Sequence, residues 1–159
     1  MATRNRLTYR QAIAMFEAFA DAHEQINWFG SGSISDITEN EDFEYTNYPV
    51  LFVVDNSSTH PDNTLEMSFQ ILLLDISHAS VGLKSHVDIK SDMLEVQLDL
   101  IAELEIAPKL FTDDVRLSIE VGNSTPIDRE TEDNLTGWST EITLIQAVNR
   151  NYCAIPKTV

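Results

Sequence analysis

The chain has 159 residues and carries 26 Asp+Glu against 10 Lys+Arg, a formal charge of −16, with a single cysteine, Cys153. That balance, with a pI near 4.3, argues against a surface that holds nucleic acid by neutralising phosphates. One cysteine excludes an intramolecular disulfide and a cysteine-based zinc site, while 43% hydrophobic residues suffice for a core.

The chain opens on a short basic arm, residues 1–7, followed by an amphipathic helix. Thr8 and Gln11 have capping-box spacing, in which each side chain satisfies an orphan backbone N–H of the first turn. Ala12, Ile13, Phe16, Phe19, Ala20 and His23 then recur at steps of three and four, with Glu17, Asp21 and Glu24 mostly on the opposite side. Those three acids also interrupt what would be the apolar part of a signal peptide. The longest aliphatic run, Ile71 to Leu74, is far short of a bilayer span, so a soluble protein of the reducing cytoplasm is expected.

Gly30-Ser31-Gly32 is read as a break, leading into a short extended piece over Ser33–Ile37 and an acidic, aromatic loop or edge strand over Thr38–Tyr48. Pro49–Asp55 contains five consecutive apolar residues, which suits a strand covered on both faces. Asn56–Asn63 has turn chemistry throughout, so the following strand is expected to return as a hairpin partner. That strand, Thr64–Ile76, places Leu65, Met67, Phe69, Ile71 and Leu73 on one face and becomes apolar on both faces at its end.

A second helix is predicted over about Val87–Ile106, with Ile89, Met93, Val96, Leu100, Ile101 and Leu104 as its apolar stripe and Pro108 as its stop. Val115–Val121 alternates as a half-buried strand. Gly122–Thr136 reads as a polar loop, and Gly137–Gln146 as the last strand, before an irregular tail over 147–159. Strands joined by short turns favour antiparallel pairing. The prediction is one α+β domain spanning 1–159, a mainly antiparallel sheet packed against two amphipathic helices.

Charge is unevenly placed. Arg4, Arg6 and Arg10 precede the first acid, and from Gln11 to Leu83 there are twelve acids and no Lys or Arg. Motifs for chemistry are scarce: Gly30 and Gly32 lack the rest of a phosphate cradle, and no H-E-x-x-H, G-x-S-x-G or C-x-x-C occurs. Asp75, His78, His86 and Asp88 are the best metal constellation, but their spacing across a loop guarantees no convergence. Asp55 and Asp62 lack calcium-loop spacing, and nothing marks Cys153 as an activated thiol. Neither enzymatic activity nor a bound cofactor or metal is expected.

The segment Asp128-Arg129-Glu130-Thr131-Glu132-Asp133-Asn134-Leu135-Thr136-Gly137-Trp138 joins an acidic D-R loop to N-L-x-G-W at the opening of the last strand, and Asn151-Tyr152-Cys153 follows near the end. With the N-terminal helix, the Gly32, Ser33, Ser35 and Asp36 entry and the Tyr48-Pro49 strand, this layout resembles the tail-terminator, tail-completion and neck (head–tail joining) proteins of tailed bacteriophages. The resemblance implies a virion subunit, assembled in the host cytoplasm, whose copies form a ring, hexameric in tail terminators. Such a ring caps the tail tube and joins it to neck and connector proteins, while DNA passes through it unbound. The implied contacts between subunits or to the neck are Arg4, Arg6, Arg10, Glu39, Glu41, Asp42, Glu44, Asp128, Arg129 and Trp138. The alternative is an acidic cytosolic binding or inhibitor protein, a nucleic-acid mimic that engages a basic partner.

Overall fold

A computed structural model describes residues 6–33, 35–36, 47–77, 85–106, 117–128 and 135–148. The first element, α1 (Tyr9–Ala22), starts with the capping box: Thr8 accepts from the Gln11 backbone N–H, and Gln11 Oε1 accepts from the Thr8 backbone N–H at 2.9 Å. Five strands follow as β1 (Trp28–Gly32), β2 (Val50–Thr59), β3 (Thr64–Ile76), β4 (Leu117–Asp128) and β5 (Leu135–Ala147), with α2 (His86–Ile106) between β3 and β4. They form one sheet in the order β1-β2-β3-β5-β4, in which β1 and β2 run parallel and every other pair antiparallel. This is the predicted α+β architecture, with both helices packed against the sheet.

Alternation decides the two faces. Leu51 and Val53 of β2, Met67, Phe69, Ile71 and Leu73 of β3, and Ile142 and Leu144 of β5 point towards the helices. They meet Ala12, Met15, Phe16 and Phe19 of α1 and Ile89, Met93, Val96, Leu100 and Leu104 of α2 in one buried cluster. Phe16 stands edge-on to Phe69, with ring centroids 5.4 Å apart. On the far face Val50, Phe52, Leu72 and Leu74 make a second buried cluster flanked by Trp28. The unbroken apolar run of β2 is therefore buried on both sides, as its composition required.

Three boundaries differ from the sequence reading. Gly30-Ser31-Gly32 lies inside β1, which pairs Trp28 with Val50 to Gly32 with Val54, and the described residues of the Ser33–Ile37 piece, Ser33, Ser35 and Asp36, are not in a strand. β2 runs on to Thr59, a bulge between Asp55 and Ser57 absorbing an extra residue, so the turn shrinks to residues 60–63, with Asp62 at φ 38°. β4 occupies the first half of the expected Gly122–Thr136 loop, again by a bulge, between Val121 and Ser124. The extra residue there keeps Ser124 facing α2, where Gln97 Nε2 donates to Ser124 Oγ at 2.8 Å. Thr140 Oγ1 donates to Gln97 Oε1 at 3.0 Å, so the polar groups under α2 are paired.

Candidate functional site

The D-R…N-L-x-G-W stretch spans the connection from β4 to β5, and its described residues Asp128, Thr136 and Trp138 meet the first turns of α2. Asp128 pairs with Thr136 across the strands, and its carboxylate accepts from Lys90 Nζ at 2.6 Å. Trp138 is half-buried against the main core, and its Nε1–H donates to the Lys90 carbonyl at 2.8 Å. Thr136 is fully buried, with Oγ1 2.6 Å from His86 Nδ1. Asp128 and Trp138, read as contact residues, thus hold α2 to the hairpin of their own chain. Arg6 and Arg10 are exposed at the start of α1. Arg4, Glu39, Glu41, Asp42, Glu44 and Arg129 lie outside the described residues.

The described members of the metal constellation, Asp75, His86 and Asp88, do not come together as a group that could hold an ion. Asp75 caps the Ile76 backbone N–H at 2.8 Å, and Asp88 accepts from Ser85 Oγ at 2.7 Å at the start of α2. His78 lies outside the described residues, and among the described residues no group of three or more His, Cys, Asp or Glu side chains is placed to hold an ion.

A cleft of about 530 Å³ opens where the N-terminal arm meets the outer halves of β2 and β3. Leu65, Met67 and Phe69 floor it, and Arg6, Tyr9 and Asp55 stand on its walls. Tyr9 donates its hydroxyl to Asp55 Oδ1 and lies 5.9 Å, centroid to centroid, from Phe69. Burial, then the hydrogen bond to Asp55 and the negative charge of that residue, push the Tyr9 hydroxyl up to about 12. Tyr9 therefore stays a neutral donor at physiological pH. The pair can bind and orient, but it supplies neither a phenolate nor a proton relay tuned to neutral pH.

The described surface is strongly anionic. Glu17, Asp21 and Glu24 are exposed on and after α1, and Asp88, Glu95, Asp99, Glu103 and Glu105 on α2. Among the described residues the Lys and Arg side chains are Arg6, Arg10 and Lys90. Val87, Leu94 and Leu98, apolar residues of α2 outside its predicted stripe, are left exposed at 75%, 38% and 59%. Their spacing of seven and four residues is visible in the sequence, but the inner stripe of α2 already accounts for the helix.

No helix among the described residues is long and apolar enough to cross a membrane. No protein-family model matches the chain, and no curated protein matches it in sequence.

Proposed function

We propose that this chain is a structural virion protein of a tailed phage, a tail-terminator or tail-completion subunit that acts without catalysis. Its copies form a ring that caps the tail tube and joins it to the neck. The observation that carries the reading is the segregation of charge on one chain. Arg6 and Arg10 sit together at the start of α1, while carboxylates dominate the remaining described surface. Unlike patches on one subunit favour head-to-tail pairing, the heterologous contact that closes rings when its rotation closes. The D-R…N-L-x-G-W resemblance adds the family, and the acidic exterior suits a channel that phosphates must cross without sticking.

Electron microscopy and light scattering of the purified chain test the reading. Closed rings are expected at high protein concentration, and the Arg6→Glu/Arg10→Glu variant is expected to dissociate them. A protein that stays monomeric at every concentration and is absent from virions overturns it. A monomer that instead captures a basic protein in a salt-sensitive complex would favour the acidic-decoy alternative.

A further inference from the structure

Two parallel rows run along the outer side of α2. Val87, Ser91, Leu94, Leu98 and Ala102 follow one another at steps of four, three, four and four, the spacing of a single helical stripe. One residue further on, at the same steps, stand Asp88, Asp92, Glu95, Asp99 and Glu103. The buried side of the helix, Ile89, Met93, Val96, Leu100 and Leu104, is a different stripe; within the second row Asp92 is half-buried and Asp99 Oδ2 lies 3.3 Å from His23 Nε2, while Glu95 and Glu103 are exposed. Single exposed apolar residues need no explanation, but an aligned series edged by carboxylates marks an interaction surface. At the C-terminal end, α1 and α2 enclose a groove of about 550 Å³, floored by Met15 and Phe19 and edged by Asp99 and Glu103. Ile106, 52% exposed, lines the same groove.

We propose that this face of α2 docks a basic amphipathic helix belonging to a different protein. Its apolar edge lies along Val87, Leu94 and Leu98, and its Lys/Arg edge faces the carboxylate row. Heptad-like spacing on one side calls for heptad-like spacing on the other, since that repeat lets two helices interdigitate along their length. Charge complementarity specifies the basic edge.

A second copy fits poorly. In an antiparallel two-fold pair of α2 helices, carboxylate row faces carboxylate row. In a parallel pair each row meets a flank whose described cation, Lys90, already binds Asp128. Nor do Arg6 and Arg10 of a neighbour match the row. Arg6 precedes α1, and even a fully extended chain carries it no more than about 14 Å from Arg10, against about 22 Å for the fifteen helical steps from Asp88 to Glu103. The inference therefore stands whether or not the copies close a ring.

The test is fluorescence anisotropy of the full chain with labelled synthetic peptides as long as α2. One carries Leu at the two core heptad positions and Lys on its flanks, and the other is a scramble of the same composition. The heptad peptide is expected to bind on the order of tenfold tighter than the scramble. Leu94→Ser/Leu98→Ser, both at exposed positions, should cost about tenfold with net charge unchanged. Glu95→Lys/Glu103→Lys should cost a similar factor, whereas Glu17→Lys/Asp21→Lys, with the same change in net charge, should cost less than about threefold. Circular dichroism checks that each variant keeps its helices. Equal binding of both peptides, or equal loss in the two charge-reversal variants, reduces the effect to bulk attraction and overturns the proposal. Concentration-dependent self-association abolished by Leu94→Ser/Leu98→Ser would also overturn it, by giving the face to a second copy.

Discussion

Gly137 shows how tightly one position is held. A Cβ there would stand 1.8 Å from the Leu73 carbonyl oxygen and 3.0 Å from the Leu74 Cα, both backbone atoms of the central strand β3. Relief requires parting β3 from β5 at the third pair from the end of a thirteen-residue ladder. The glycine in N-L-x-G-W is thus demanded by the close approach of two strands. Gly137→Ala should lower stability by about 3 kcal/mol, the upper part of the usual overpacking range, and urea unfolding midpoints would show it. Tyr9 makes a different prediction, because its hydroxyl is raised from 10.0 to about 12 in the folded chain. An acid whose folded value lies above its unfolded value contributes stability that is fully present below about 10 and lost as pH rises through about 12. Tyr9→Phe should therefore flatten the alkaline fall in stability over that window. Absorbance titration of tyrosinate should lose its highest-pH step in the same variant.

At the scale of elements, the longest-range hydrogen bonds among the described residues are those of Gln146 near the end of β5. Fully buried, it accepts from the Leu7 backbone N–H and donates to the Leu7 carbonyl, each at 2.7 Å, across 139 residues of chain. Gln146→Leu fills the space but leaves a buried donor and acceptor without partners, at about 1–3 kcal/mol for each group left unpaired. The variant should release the N-terminal arm, read as faster proteolytic clipping ahead of α1 while the sheet persists. No sequence pattern announces such a tie, because its partners are backbone groups at the other end of the chain. What the sequence does announce is local. Leu65 to Leu73 alternate with period two, Thr8 and Gln11 have cap spacing, and β3 and both helices were legible from those signals. β1 was not, since Trp28–Gly32 is short and glycine-rich and becomes a strand only by pairing with Val50–Val54. The second half of β4 was hidden likewise: Asn123, Ser124 and Pro126 carry turn chemistry until β5 supplies a partner and the bulge corrects the register. The intrachain role of Asp128 and Trp138 was not legible, because Lys90, which engages both, lies far from them in sequence.

For the whole molecule the decisive quantity is the sign with which salt acts on association. A formal charge of −16 makes every copy repel every other, and salt weakens that repulsion. The contacts that the proposed ring would make between Arg6 or Arg10 and a neighbour's carboxylates would pull the opposite way, and salt would weaken them too. Raising ionic strength from about 0.1 M to about 1 M shortens the screening length from about 10 Å to about 3 Å, which suppresses both effects. Which one dominates can therefore be read from the direction in which particle mass moves. In the proposed ring the arginine contacts are local and partly desolvated whereas the repulsion is spread over the surface, so mass should fall as salt rises. In Arg6→Glu/Arg10→Glu the attraction is gone and the net charge is more negative by four. That variant should be monomeric at low salt, and its mass should stay flat or rise with added salt. Sedimentation velocity of both proteins across the same salt series gives the two slopes. Opposite signs would assign the arginines to the contact between copies; a common sign would remove them from it and leave the carboxylate row of α2 as the charged surface to pursue.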